Sequence, residues 1–164
     1  MSACVFPGSF DPVTRGHLNL IERAAKIYDS VTVAVMVNIA KSGVIPYAER
    51  AGILRTACAD LPNVRVELWE GLLADYMRDH PGSVVIRCVR NTAEFEKETC
   101  IAETNRRLCP GLETLLMPAA PEWADVSSSV VREIAAFGGD IRGLVPSKAY
   151  RKIMKYLSAE ALNK

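Results

Sequence analysis

The order of secondary structure in this chain is set by its opening stretch, "ACVFPGSFDPVTRGHLNL", Ala3–Leu20. A short apolar run leads into a segment with two glycines and two prolines. An apolar pattern of helical period follows, with Leu18, Ile21, Ala25 and Tyr28 on one face. The stretch therefore predicts a β-strand, a tight turn and an α-helix. In an open α/β sheet, such a turn lies at the carboxyl end of a strand, where ligands bind.

The same alternation of strand and helix continues along the chain. Apolar runs rich in β-branched residues predict further strands at Val31–Val37, Val64–Trp69, Ser83–Val89 and Glu113–Pro118. These runs are nearly continuous, which is typical of parallel strands covered on both faces. Helices are predicted at Tyr47–Ala59, Leu72–His80, Asn91–Leu108, Val130–Phe137 and Lys148–Leu157. We expect an α/β fold in a single domain, residues 1–164: a doubly wound, Rossmann-like, five-stranded parallel sheet with C-terminal helices.

Composition and charge argue against several kinds of partner. The chain has 164 residues, enough to bury one core, and a formal net charge of +1, so no global field draws it to nucleic acid or to an acidic membrane. The cations of the last predicted helix fit a solvated face better than a nucleic-acid patch. They are Lys148, Arg151, Lys152 and Lys155. We therefore expect neither nucleic acid nor a membrane as a partner.

The cysteines and histidines predict neither a disulfide framework nor a metal site. Five cysteines form an odd set without C-x-x-C spacing, and His17 and His80 lie far from any suitably spaced cysteine pair. The segment "MSACVFPGSF" lacks the basic and long apolar regions of a signal peptide, and no apolar run is long enough to span a bilayer. We expect a cytoplasmic protein with reduced thiols.

The turn after the first strand has the properties of an anion site. It contains neither G-x-G-x-x-G nor G-x-x-x-x-G-K-[ST], so it is neither a dinucleotide-binding turn nor a P-loop. The backbone amides of Ser9 and Phe10 are free to bind, and His17 lies in the first turn of the helix. A helix N-terminus attracts anions, and a histidine there can donate a hydrogen bond to a phosphate oxygen. The alternative is an ordinary strand-to-helix turn with an incidental histidine.

The full string "GSFDPVTRGH", Gly8–His17, resembles the signature of the HxGH nucleotidyltransferase superfamily in its T-x-G-H form, with Thr14 where other branches carry a first histidine. Within that superfamily the chain resembles the phosphopantetheine adenylyltransferases over nearly its whole length. Four more segments carry the resemblance: "VNIAKSG", 37–43; "EGLLADYMR", 70–78; "IRCVRNTAEFEKETCIAETN", 86–105; and "PEWADVSSSVVREI", 121–134.

The resemblance implies adenylyl transfer from ATP to 4′-phosphopantetheine, in which the acceptor phosphate attacks the α-phosphorus in line. It implies that His17 and Lys41 are catalytic and that Ser9, Lys41, Leu73 and Arg87 bind the acceptor. The ATP-binding residues that it implies are Ser9, Phe10, His17, Cys88, Val89, Arg90, Glu98, Trp123, Ala124, Asp125, Val126, Ser127, Ser128 and Ser129. It also implies Mg²⁺ carried by the ATP phosphates, a homohexamer, and feedback by coenzyme A.

Some segments also have a purely structural interpretation. The arginines of the third segment would then pair with Glu94 and Glu98, and the serines of the fourth would only cap a helix. Capping and phosphate binding use the same free amides, so both can hold together. The sequence departs from the family pattern in four places: Cys88 replaces a usual glycine, Glu94 an aspartate, Lys97 an aromatic residue, and "AKSG", 40–43, the usual "NKKP". If the amide of Cys88 must approach ATP closely, its side chain would crowd the nucleotide or require a modified turn. Its thiol also predicts sensitivity to oxidation.

Two other kinds of function remain as alternatives. One is another HxGH transferase, acting on nicotinate mononucleotide or, with CTP, on a phospho-alcohol. The missing first histidine argues against the former, and the absence of an R-T-x-G-I-S-T-T box argues against the latter. The second is a nucleotide-binding sensor without catalysis, which would not need a donor to the α-phosphate, whereas this chain has His17, Lys41 and Arg87 at suitable loops.

Overall fold

The computed structural model describes residues 2–37 and 43–158, which form one α/β unit. Its strands are β1 (Ala3–Gly8), β2 (Ser30–Met36), β3 (Val64–Trp69), β4 (Ser83–Val89) and β5 (Thr114–Pro118). Its α-helices are α1 (Arg15–Ile27), α2 (Tyr47–Ala57), α3 (Leu73–Arg78), α4 (Thr92–Leu108), α5 (Ser128–Ala136) and α6 (Tyr150–Leu157). Short 3₁₀ turns at Pro121–Trp123 and Ser147–Ala149 precede α5 and α6.

The five strands form one parallel sheet in the order β3-β2-β1-β4-β5. The chain winds outward from β1 to β3, then returns to the other side of β1 for β4 and β5. The point where the order reverses lies between β1 and β4, and crevices form there in doubly wound sheets. β1 pairs with β2 along its whole length but with β4 only over Ala3–Val5. The carboxyl ends of β1 and β4 therefore diverge.

Helices cover both faces of the sheet, which explains the continuous apolar strands. Successive residues of a strand point to opposite faces. Accordingly, Phe6 of β1 belongs to the larger core cluster, with α1, α2, α5 and α6, whereas its neighbour Val5 belongs to the smaller cluster beneath α3. Both residues are at most 4% exposed. The double covering confirms the expected fold class.

The predicted elements are present, with small corrections at their ends. α1 ends at Ile27, so Tyr28 is its C-cap rather than part of its apolar face. The buried face of α1 is centred on Leu20, Ile21 and Ala24, because these side chains point into the sheet. α2 and α3 each end two residues before their predicted limits, at Ala57 and Arg78.

Helix α4 differs from the other long helices in its burial. In the described part of the chain, none of its 17 residues is buried, and Phe95 is 51% exposed. By contrast, α6 buries Ile153 and Leu157, as its apolar stripe predicts. Among residues 2–37 and 43–158, no helix is both long and apolar enough to cross a membrane.

Candidate active site

A cleft of about 480 Å³ opens at the carboxyl edge of the sheet, where β1 and β4 diverge. Most of its residues come from the turn after β1, from the end of β4 and the start of α4, and from the segment that leads into α5, and the others come from the end of β2 and the start of α2. We call two of its sides the turn wall, residues 8–17 with Arg50 and Arg132, and the arginine wall, formed by Arg87, Arg90, Glu94 and Glu98. Polar groups from distant parts of the chain converge here, as in ligand sites of this fold class.

Close packing fixes the shape of the turn after β1. The ring of Phe10 is 2% exposed and lies edge-on to Phe6, with 5.6 Å between ring centroids. A Cβ atom on Gly8 would lie 2.9 Å from that ring, so only glycine fits beneath it. Phe10 also has a φ of 45°, a backbone conformation that residues other than glycine rarely adopt. The turn is therefore held in one shape by its own aromatic residue.

His17 is held in a single orientation by a capping box at the start of α1. The backbone N–H of Thr14 donates to Nδ1 of His17 at 3.0 Å, and the backbone N–H of His17 donates to the Thr14 hydroxyl at 3.3 Å. Because Nδ1 accepts a hydrogen bond, the proton of the neutral ring lies on Nε2. Thr14, where the superfamily has a histidine in other branches, serves here as the cap that fixes the ring.

The environment also keeps His17 uncharged. Burial, followed by the positive charges of Arg90 and Arg87, lowers the pKa of His17 from 6.5 to about 4. Near neutral pH the ring is therefore a neutral donor. His17 lines the cleft, and its ring centroid is 5.1 Å from that of Phe10.

Asp11 is the buried centre of the turn wall. Asp11 is only 5% exposed, and its carboxylate accepts hydrogen bonds from the backbone N–H groups of Val44 at 3.0 Å and Ile45 at 2.9 Å. Two arginines lie beside it: Arg50 Nη2 is 3.5 Å and Arg132 Nη1 is 3.8 Å from its Oδ2 atom. A buried carboxylate needs such partners. Here the two amides join the turn to the segment before α2, and the two arginines join it to α2 and α5.

The two arginines also bind the main chain of the turn. Arg50 donates from Nη1 to the Ser9 carbonyl at 3.1 Å and from Nε to the Ile45 carbonyl at 2.8 Å. Arg132 donates to the Asp11 carbonyl. Gly43 leaves room for the Arg50 guanidinium, since a Cβ there would lie 1.7 Å from Nη2.

The arginine wall consists of two ion pairs. Arg87 donates to both carboxylate oxygens of Glu98, at 2.7 and 2.8 Å, and Arg90 pairs with Glu94, which lowers the pKa of that carboxyl. This is the pairing of the structural interpretation, and it does not remove the guanidiniums from the cleft, because both arginines line it. Each arginine keeps N–H donors beyond those in its pair.

The segment before α5 supplies the third side of the cleft. Ser127 is the N-cap of α5 and accepts the backbone N–H of Val130 at 3.2 Å, and the Ser128 hydroxyl donates to the Pro12 carbonyl at 2.8 Å. The guanidinium of Arg15 lies 4.8 Å from the ring of Trp123, a cation–π contact that joins α1 to this segment. Ser127 thus caps α5 and also lines the cleft, as does its neighbour Ser128.

The structure brings most of the predicted site residues together. The predicted residues that line the cleft are Ser9, Phe10, His17, Arg87, Cys88, Arg90, Glu98, Trp123, Val126, Ser127, Ser128 and Ser129. Within the described chain, the lining does not include Val89, Ala124 or Asp125, which flank lining residues, or Leu73, which packs against the smaller core cluster. Lys41 lies outside the described residues. Lys97, the departure from the aromatic pattern, also lines the cleft.

Three charged residues of the turn wall were missed by the sequence analysis: Asp11, Arg50 and Arg132. Asp11 and Arg132 lie inside segments that carry the resemblance, and Arg132 stands at the last position of its serine box. Arg50 carries no such signal, because it lies in an ordinary helical pattern. Its 9% exposure is visible only in the folded chain.

The chain is similar to known proteins over most of its length. Residues 5–134 match the cytidylyltransferase-like family. A phosphopantetheine adenylyltransferase of Levilactobacillus brevis is 41% identical over 160 residues, 98% of this chain and 99% of the relative. One of Rubrobacter xylanophilus is 49% identical over 146 residues, 89% of each chain, and one of Dictyoglomus thermophilum is 44% identical over 153 residues, 93% of each chain.

Proposed function

The chain belongs to the phosphopantetheine adenylyltransferases, within the cytidylyltransferase-like family, and on that premise we propose how its cleft carries out the reaction. An adenylyl group passes reversibly from ATP to 4′-phosphopantetheine, which gives dephospho-coenzyme A and pyrophosphate, a step of coenzyme A biosynthesis. The observation that carries the proposal is the orientation of His17, a neutral donor fixed at a helix N-terminus beside two arginines.

The chemistry of the reaction fits a cleft of cations and donors. The attacking oxygen belongs to an ionised phosphate, so the protein need not supply a nucleophile. What it must supply is alignment of two anionic substrates and stabilisation of negative charge as it moves to pyrophosphate. Arg87 and Arg90 supply positive charge at the end of β4, and the N-termini of α1 and α5 add their dipoles.

His17 acts on the reacting phosphorus. Its Nε2–H donates to an oxygen of the α-phosphate and to the oxygen that bridges to the leaving pyrophosphate. Since the pKa of His17 is lowered to about 4, the ring keeps a neutral Nδ1 that accepts the Thr14 N–H throughout the reaction. Lys41 holds the attacking phosphate and helps to neutralise the transition state; this role comes from the family resemblance.

The two substrates lie on either side of the divergence between β1 and β4. Arg87 and Ser9 orient the phosphate of 4′-phosphopantetheine, and Leu73 contacts its pantetheine arm. ATP lies toward Arg90 and the Trp123–Ser129 segment, where the free amides of the α5 N-terminus receive its β- and γ-phosphates. Arg132 lines the same end of the cleft and adds a positive charge there.

Magnesium enters this scheme on the nucleotide. The carboxylates that line the cleft are already engaged: Asp11 by two backbone amides, Glu94 and Glu98 by arginines. Within the described residues, no group of three or more His, Cys, Asp or Glu side chains could hold a metal ion. We propose that the phosphate oxygens of ATP would hold Mg²⁺, as is usual for this ion with nucleotides, and that the ion would neutralise phosphate charge.

The assembly and the cell compartment follow the family expectation. We place the protein in the cytoplasm as a homohexamer that responds to coenzyme A. The unburied helix α4 supports contact between copies, because Phe95 and, on the neighbouring β5, Leu115 are each about half exposed, at 51% and 49%. The cysteines Cys4, Cys58, Cys88, Cys100 and Cys109 are free thiols, which suits a reducing compartment.

The test is pyrophosphate release from ATP and Mg²⁺ with three acceptors: 4′-phosphopantetheine, nicotinate mononucleotide and glycerol 3-phosphate. We expect release with phosphopantetheine alone. Release with another acceptor would replace the proposed substrate. No release with any acceptor, by protein that still binds ATP, would support a nucleotide sensor instead.

A further inference from the structure

We propose that Arg50 is a positioning residue, which acts through the peptide group between Ser9 and Phe10 and directs the N–H of that group toward a phosphate oxygen of ATP. The inference rests on the proposed function, in which the turn after β1 binds the nucleotide. Arg50 itself lies on α2, in a different part of the chain.

The chain around Arg50 holds all three nitrogens of its guanidinium. Nε donates to the Ile45 carbonyl at 2.8 Å, Nη1 donates to the Ser9 carbonyl at 3.1 Å, and Nη2 lies 3.5 Å from Oδ2 of Asp11. The side chain is only 10% exposed. The guanidinium is therefore fixed before a substrate binds, and one of its contacts is to the main chain of the turn.

The contact to the Ser9 carbonyl fixes the direction of the next N–H group. The Ser9–Phe10 peptide bond is trans. In a trans peptide the C=O and N–H groups lie in one plane and point in opposite directions, so the Phe10 N–H points away from Arg50. Among residues 2–37 and 43–158 this N–H has no hydrogen-bond partner, and both Ser9 and Phe10 line the cleft. It is therefore a donor that a bound anion can use.

The backbone of Phe10 explains what the contact prevents. Its φ of 45° is disfavoured for a residue with a side chain. If the Ser9–Phe10 peptide plane turned over, φ would return to negative values, as in the change from a type II to a type I turn. The N–H would then be reversed. Such a conformation persists only when its surroundings enforce it, and the hydrogen bond from Arg50 opposes the rotation.

Arg50 also neutralises the buried Asp11, and this structural role can be separated from the positioning role. Arg132 lies 3.8 Å from the same carboxylate oxygen, so Asp11 keeps one cation in any Arg50 variant. Arg50→Lys keeps the second positive charge as well. An ammonium group, however, is a single nitrogen and cannot bind the Ser9 and Ile45 carbonyls together as the guanidinium does.

The first test measures the kinetics of Arg50→Lys. We expect kcat/KM for ATP to fall about tenfold, because a small displacement of one donor costs up to about a hundredfold. The Kd for 4′-phosphopantetheine should stay within twofold. Thermal melting verifies that the variant is folded at the assay temperature. An unchanged kcat/KM for ATP, or an equal loss for the two substrates, overturns the inference.

Arg55→Lys is the matched control. Arg55 lies on the same helix and also donates to a main-chain carbonyl, that of Val66, at 3.1 Å. In the described chain it is not part of the cleft lining. We expect its kcat/KM for ATP to stay within twofold of wild type. A tenfold loss in this variant too would show a general effect of α2 and overturn the inference.

The second test observes the Phe10 N–H itself. Ser9–Phe10 is the only Ser–Phe pair in the sequence, so ¹³C-carbonyl serine combined with ¹⁵N-phenylalanine gives one correlated amide signal in the NMR spectrum. We expect saturating ATP, without acceptor, to move its proton downfield, and to move it less than half as far in Arg50→Lys. A signal that ATP leaves unchanged in the wild type overturns the inference, even if the variant does not fold. A wild-type protein that shows the shift but releases no pyrophosphate supports the role of Arg50 and refutes the proposed function separately.

Discussion

The turn wall and the arginine wall face each other across one cleft, but they are stabilised by contacts of different burial and reach. Asp11 is 5% exposed and joins residues more than 30 positions away in the chain. Arg90 and Glu94 are neighbours at the start of one helix, and their side chains are 31% and 28% exposed. Buried networks are rigid and expensive to break, whereas exposed local pairs contribute little. The turn wall is thus a preformed template, whereas the Arg90–Glu94 pair of the arginine wall can adjust to its ligands.

The largest effect is expected at the catalytic end of the turn wall. His17→Ala removes a fixed donor to the α-phosphate, which we expect to lower kcat by about 10²–10³ or more with folding retained. Pyrophosphate release measures the loss. His80→Ala, at the other histidine and outside the cleft, is the control and should keep kcat within twofold. Equal activity of the two variants would refute the role of His17.

The buried charge of the turn wall should decide its stability. Asp11→Asn leaves Arg50 and Arg132 without their carboxylate, so we expect a loss of about 3 kcal/mol in the free energy of unfolding. The matched change on the arginine wall, Glu94→Gln, breaks an exposed pair and should lose less than about 1 kcal/mol. Urea denaturation compares them directly, and equal losses would remove the distinction between the walls.

Because of His17 in the turn wall, the folding stability of the protein should also decrease in mild acid. The pKa of His17 in the folded protein, about 4, lies below the value of 6.5 for the free side chain. Between these values the unfolded chain binds the proton and the folded protein does not, so folding stability falls as the pH decreases from 6.5 toward 4. We expect wild type to lose about 1–2 kcal/mol more than His17→Gln between pH 7 and pH 4.5. Parallel losses in the two proteins would contradict the neutral state of His17.

The smallest expected effect is that of Cys88, beside the arginine wall, on the rate at which peroxide inactivates the protein. Burial raises the pKa of its thiol, so little reactive thiolate is present near neutral pH. This weakens the oxidation sensitivity that the sequence predicts. We expect wild type and Cys88→Gly to lose activity to peroxide at rates within about twofold of each other. Markedly slower inactivation of the glycine variant would restore the original prediction.

Physical reasoning from the sequence was sufficient for the fold and for the position of the cleft, whereas most of the lining residues were named from the family resemblance. Continuous apolar strands require cover on both faces, and a turn at the end of such a strand is a binding position wherever the rest of the chain lies. The turn wall's internal bonds were not predictable in this way. Asp11 meets Val44 and Ile45 only after the sheet has formed, and Arg50 looks like any helical arginine until its burial is known.

The exact ends of the helices and the ion pairs of the arginine wall were not predictable for the same reason, because both depend on the folded arrangement. Periodicity places the buried face of α1 to within a residue, but the side chains that finally point inward depend on how the helix lies on the sheet. Whether Arg87 and Arg90 are paired or free is likewise undecided by spacing alone. The structure shows that pairing and a place in the cleft are compatible.

The main chain of residues 7–9 lies where β1 and β4 diverge, and its position has a consequence for inhibition. The Pro7 and Ser9 carbonyls there are backbone atoms that every amino-acid substitution retains, and Gly8 has no room for a larger side chain beneath Phe10. A compound that competes for these backbone positions would meet a surface with few routes of mutational escape. Drug resistance would have to arise elsewhere, through exposed residues such as Arg90 or through increased expression.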